Sequence, residues 1–235
     1  MCDCDYFMTQ EILEGFTQEI SARQGKVTET FHQTGQLFVR SVLPQAEEIR
    51  ARDKVQSGVA LRATDTAAWV YPYVFRLVCK NGLIASDRAL RKTHVGRILE
   101  SAEESVLAFK DDTLRADDAA FFLKVRDVVE AAVSEATFRL ITEKMQKTMG
   151  IRLTGDPVKS VEVLADRYLL NDNERAGVLR HLITQGDLSG YGLVNAVTHY
   201  SEEIEDYDRA TEFESIGGKL IELPSKEWQE LAEAA

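Results

Sequence analysis

The stretch from Trp69 to Gly82 holds the chain's densest set of side chains able to meet a ligand. Rings at Trp69, Tyr71, Tyr73 and Phe75 alternate along it, and cations follow at Arg76 and Lys80. Arg88, Arg91, Lys92 and Arg97 extend the basic run. Proteins that hold single-stranded nucleic acid use this combination, with cations against phosphates and rings stacking bases at about 1–3 kcal/mol per base. Trp69 and Tyr71 are therefore candidate stacking residues, and Arg76, Lys80, Arg88, Arg91, Lys92 and Arg97 candidate phosphate contacts. The competing reading is a core, because rings on one strand face commonly fill one. The cations alone would then face a ligand.

Other chemistries have weaker support. Cys79 with His94 could form a nucleophile and base, but Cys79 ends the ring-bearing strand, where a free cysteine packs as a small apolar residue. Cys2 and Cys4 supply two thiols, and a structural zinc site needs four ligands. His199 and Glu202 share a helical face. A di-metal bundle needs two such pairs and further carboxylates. His94, His181 and His199 with nearby carboxylates define a metal-dependent enzyme as a third reading. The chain has no phosphate loop, no dinucleotide fingerprint and no nucleophile elbow. Gly186–Gly192 is glycine-rich but joins two predicted helices, so it reads as a connector. No cofactor is expected, and the sequence points away from catalysis.

The elements that must carry these residues follow from periodicity. Ile12, Leu13, Phe16 and Ile20 define a helix over 9–24. The period then falls to two, giving strands over 27–32 and 36–43 as a hairpin around Thr34-Gly35, the second closed by Pro44. A third strand spans 55–63, turning at Thr64-Asp65-Thr66, and a fourth spans 67–80. Odd positions of that fourth strand share a face, and Pro72 asks for a bulge or an edge because it has no ladder donor. From about residue 86 the pattern reads as helical, with helices over 95–110 and 117–148. The latter, at 1.5 Å per residue, would reach about 48 Å, so it is a spine, an oligomer contact or broken in two. Asp156-Pro157 starts a helix over 157–169, Asn171-Asp172-Asn173 introduces another that ends at Gly186, helices over 189–204 and about 206–221 follow, and Ser225 would cap a last short one around Trp228. The class is α+β: an N-terminal helix and antiparallel sheet (about 26–80), then a long helix and a C-terminal helical region.

Charge divides the chain. The net charge is −11, and residues 111–235 carry all of it, because 1–110 balance at 14 bases and 14 acids. Within 54–97 eight bases meet two acids, while from residue 200 onward eleven acids meet three bases. The expected organisation is a sheet-containing part with a basic face (1–110) and a helical acidic part (111–235), forming one compact unit. An acidic end of this kind can shield a basic face or dock a basic protein. No run of about 18 apolar residues exists to span a membrane, the first residues are acidic, and three cysteines suit a reducing compartment; a cytoplasmic protein is expected.

Three blocks carry a family resemblance: Arg76-Leu77-Val78-Cys79-Lys80-Asn81-Gly82-Leu83, Lys92-Thr93-His94-Val95-Gly96, and Asn195-Ala196-Val197-Thr198-His199-Tyr200. Their order resembles the phage/plasmid-like family of uncharacterised proteins found on mobile elements, over roughly residues 35–220. The resemblance implies motif roles for Cys79, Asn81, Gly82, His94, Asn195 and Thr198, and assigns no catalytic residue. The element order is also similar to the annealing fold of the Rad-fifty-two and phage recombinase class, an analogy of topology. Together these readings predict a non-catalytic DNA-handling protein of a mobile element, binding or annealing single strands in recombination as a homo-oligomer. The alternative is an interaction module that binds a host defence or replication factor through its acidic half.

Overall fold

The computed structural model describes residues 4–33, 36–64, 67–77, 81–84, 90–93 and 110–235, in an α+β fold. Its elements are α1 (Cys4–Ala22), β1 (Lys26–Gln33), β2 (Gln36–Arg50), β3 (Asp53–Thr64), β4 (Ala67–Arg76), β5 (Gly82–Ile84) and β6 (Leu90–Thr93). Helices α2 (Asp111–Val133), α3 (Glu135–Met149), α4 (Pro157–Tyr168), α5 (Asp172–Gln185), α6 (Gly190–Tyr200), α7 (Tyr207–Ile221) and α8 (Ser225–Ala232) complete it. No helix among the described residues is long and apolar enough to cross a membrane.

The strands follow the order β1-β2-β3-β4-β5, with β6 also on β4. Two expectations change here. Residues 90–93 form a strand rather than continuing a helix from 86. Pro44 does not close β2, which runs on to Arg50. Pro72 finds a place without being at an edge. One flank of β4 pairs β6 through Ala67–Val70 and β5 through Tyr73–Phe75. Pro72 falls in the gap between these ladders, where its missing donor costs no bond on that side.

Contacts gather the chain into two compact units that interleave along the sequence. The first comprises residues 1–44, 58–72 and 87–134, and the second 45–57, 73–86 and 135–235. In the first, Ile12, Phe16 and Ile20 of α1 pack with Val125 and Val129 of α2 over Leu37, Val39, Leu43, Val59, Leu61, Ala68 and Val70. The strand residues share one parity on each strand, as a pleat requires. In the second, Ile49, Val55, Val74 and Leu83 join apolar residues from α3 to α8. The helical stretch anticipated over 117–148 is broken at Ser134, whose amide donates to the Glu130 carbonyl 3.1 Å away. Of the helix expected over 95–110, residues 95–109 lie outside the described residues, as do Thr34-Gly35 and Asp65-Thr66.

Local chemistry fixes the helices of the second unit. The Asp156 side chain accepts from the Val158 amide with Pro157 following it. Asn171 and Glu174 form a reciprocal capping box, and Gly186 closes α5 at φ 66, a conformation open to glycine. Ser225 does not cap α8: Pro224 precedes the helix and supplies no side-chain bond. Glu174 has a second duty. Arg209 of α7 grips it with two bonds of 2.7 and 2.6 Å, which together with burial of that carboxylate ties α5 to α7. Arg209→Ala strands the Glu174 charge and should destabilise the protein by about 1.5–3 kcal/mol. Urea titration of the variant checks this; a change under about 0.5 kcal/mol, as at an ordinary surface site, would remove the role.

Candidate functional site

In the first unit, alternation sends one set of strand side chains into the core and the other set to the opposite sheet face. That opposite face brings Phe38 of β2, Arg62 of β3 and Trp69 of β4 side by side. The Arg62 guanidinium carbon lies 4.6 Å from the centre of the Trp69 ring and 5.7 Å from that of Phe38. Phe31 of β1 extends the row, 6.2 Å from Phe38 between centroids. Trp69, Tyr71 and Arg62 are half-buried, and Phe38 is buried. Stacking holds a guanidinium by its face, and its N–H donors lie at the edge. The neighbouring Arg40 forms an ion pair with Glu29.

The basic residues singled out from the sequence fare differently. Arg91 and Lys92 lie on β6, where they pair in register with Trp69 and Ala68. Lys80, Arg88 and Arg97 lie outside the described residues, as do Cys79 and His94. Arg76 is corrected. It is 7% exposed and cannot serve as an open phosphate contact. Its Nε and Nη2 donate to the two oxygens of Asp53, at 2.7 and 2.6 Å. Parity explains this: Arg76 continues the even positions Ala68, Val70 and Val74, all core-facing, so it needs a buried counter-charge.

Asp53, absent from the sequence-based candidates, is the centre of a polar network in the second unit. Tyr191 donates to it at 2.9 Å and Arg50 at 3.1 Å, and Arg50 also reaches Asp187 at 2.7 Å. Both guanidinium groups stand near the Tyr191 ring, at 4.9 and 5.5 Å. Burial pushes the Asp53 carboxyl up, but the bonds and charge of Arg76, with Tyr191 and Arg50, outweigh it and hold its pKa below the usual carboxylate range. Burial raises the Tyr191 phenol well above its ordinary value; the Arg76 charge opposes this and Asp53 reinforces it. The network holds charge in place between the strand ends and α6.

Four further motif positions, Asn81, Gly82, Asn195 and Thr198, come together in this unit with Arg76. Asn81 donates to the Thr198 hydroxyl at 2.6 Å, and its carbonyl accepts from the Arg76 amide at 2.8 Å. Gly82 lies under the Tyr73 ring, where a β-carbon would fall 1.7 Å from the phenol oxygen. Asn81, Asn195 and Thr198 are all buried, so these positions act in packing α6 against the strand ends.

His181 and His199 also meet, with ring centroids 4.4 Å apart, and His181 bonds Glu203 at 2.8 Å. Burial, and then the His181 charge, hold His199 below the ordinary imidazole value. Glu202 stands 3.9 Å from His199. No group of three such side chains among the described residues is placed to hold a metal ion. The acidic C-terminal stretch is engaged in part within its own unit: Glu203 with Arg180, Glu212 with Arg209, Glu222 with Lys144, and Glu227 and Glu230 with Arg167. Comparison of the chain with protein-family models, curated proteins and solved structures finds no match.

Proposed function

We propose that the protein binds single-stranded nucleic acid, without catalysis, through the ring-and-cation face of its first unit. The observation that carries this reading is the row Phe38–Arg62–Trp69 on the sheet face opposite the helix-packed one, with Arg91 in register beside Trp69. Half-buried rings held by a guanidinium can accept a base by stacking while cations take up the phosphates. Trp69 and Tyr71 stack bases, and Arg62 and Arg91 meet the backbone; Lys92, in register with the core-facing Ala68, has no place on this face. Arg76 has no part in it. Annealing in recombination of mobile DNA, by a homo-oligomer, is the setting in which such binding would be used.

The test is anisotropy of a labelled single-stranded oligonucleotide titrated with protein over a series of salt concentrations. Affinity should fall linearly with salt on logarithmic axes, because bound phosphates release counterions. Trp69→Ala should weaken binding by roughly tenfold, given about 1–3 kcal/mol per stacked base. Arg62→Ala should weaken it and flatten the salt slope. Absence of binding at low salt, or equal affinity in both variants, overturns the reading.

A further inference from the structure

We propose that the second unit carries a separate binding site for a small organic anion, a molecule with one phosphate or carboxylate head and an apolar body. The site is a cleft of about 500 Å3 between α3, the segment 151–154, the end of α7 and α8. That volume falls within the roughly 300–1,000 Å3 of small-molecule sites. Its apolar wall is made by Ile221, Leu223 and the buried Trp228. Its cationic side is made by Lys144, Lys147 and Arg152, against one lining carboxylate, Glu233, which Gln229 holds at 3.0 Å.

The charges are the decisive observation. Residues 111–235 carry a net charge of −11, and carboxylates there are abundant. Arg139, Lys144, Lys159, Arg167, Arg175, Arg180 and Arg209 each take one. Lys147 and Arg152, like Arg115, Lys124, Lys219 and Lys226, form no ion pair among the described residues, and of these six only Lys147 and Arg152 line the cleft, both exposed. Two exposed cations without a carboxylate partner, lining the same cleft as an apolar wall, complement an anion with an apolar body.

The frame is rigid. Arg152 is pinned by a backbone bridge to Ser189, and the flanking Ile151 carbonyl accepts from Gly190 at 2.8 Å. The Thr154 amide donates to the Ala232 carbonyl at 2.8 Å. Ser225 opens α8 on the cleft, and no side chain caps that helix. The Glu227 and Trp228 amides bond the Pro224 carbonyl, and the positive end of the helix adds to the field of Lys147 and Arg152.

Isothermal calorimetry on the full chain tests this with four probes: phenyl phosphate, benzoate, inorganic phosphate and phenol. Phenyl phosphate or benzoate should bind, and the comparison between them identifies the head group. Inorganic phosphate and phenol should each bind at least about tenfold more weakly, because each lacks one half of the recognition. The double variant Lys147→Gln, Arg152→Gln changes only exposed side chains and should lose at least about tenfold in affinity for the aryl anion. In nuclear magnetic resonance spectra, the Trp228 indole signal should move with the aryl anion and the Trp69 signal should not. Unchanged affinity in the double variant, phenol binding as tightly as the anions, or no heat from either aryl anion at millimolar concentration overturns the proposal. So does a response at Trp69 in place of Trp228.

Discussion

Asp53→Ala should cost the protein about 3–5 kcal/mol of stability, the largest loss expected of any single charge in the second unit. The side chains of Asp53 and Arg76 are 4% and 8% exposed, so solvent screens neither. Removing the carboxylate leaves the Arg76 guanidinium buried without the two bonds that compensated its desolvation. Arg76→Met should be similarly severe, because it strands Asp53. The double variant Asp53→Ala, Arg76→Met should lose less than the sum of the two, since a buried pair exchanged for apolar bulk is far cheaper than a pair broken. Urea denaturation of all three proteins measures the coupling. Single-variant losses under about 1 kcal/mol would show that the pair is hydrated and not buried as described.

The same carboxylate sets a pH dependence. Its pKa is lower in the folded chain than in the unfolded one. Its contribution to stability is therefore complete above the ordinary aspartate value, about 3.9, and is lost as pH falls from there through the depressed folded value. Glu174 is shifted the same way, chiefly by Arg209. The wild type should therefore lose stability steadily below about pH 5, and Asp53→Ala should show a shallower fall over that range. Identical acid slopes in the two proteins would contradict this assignment.

Gly192→Ala should be nearly as damaging, at about 3 kcal/mol or more. Helix propensity alone predicts the opposite sign, a gain of about 1 kcal/mol, because Gly192 lies inside α6. Sterics decide the outcome. A β-carbon there would fall 1.8 Å from the Asp187 carbonyl oxygen, a backbone atom. That backbone cannot retreat easily: Arg50 and Ser189 hold the Asp187 side chain at 2.7 and 2.6 Å, and the Leu188 carbonyl accepts from Leu153 at 3.1 Å. Gly150→Ala is the control, since its nearest neighbour would stand 3.5 Å away, an ordinary contact. Thermal melts should separate the two variants clearly. A Gly192→Ala protein as stable as the Gly150→Ala protein would mean that the Asp187 turn yields.

Much of the secondary structure could be read directly. Helices α4 and α5 lie where Asp156-Pro157 and Asn171 place their starts, and Ser189 and Asp206 cap α6 and α7 in the same way, because a cap is a bond between neighbours in the chain. The first three strands were legible from β-branched alternation. Strand β6 was not. Leu90–Thr93 has only four residues, and its strand state comes from pairing β4 some twenty positions earlier. Pro44 misled for a related reason, since a proline breaks a strand only where a partner needs its donor.

The candidate site divides in the same way. Alternation along β4 placed Trp69 and Tyr71 on one face and Arg76 on the other, so Arg76 belonged with the core residues from the start. Its partner could not be named, because Asp53 is 23 residues away and joins it only across the sheet. The row of Arg62 between Phe38 and Trp69 needs three strands in one register, and the cleft beside Trp228 needs α3, α7 and α8 together. The chain's own pattern thus determined its class, most of its helix starts and which side chains share a strand face, all set by neighbours within a few residues. Which charges are paired, which remain available and where two helices leave a cleft were decided by the fold, because those depend on distances between residues far apart in the chain.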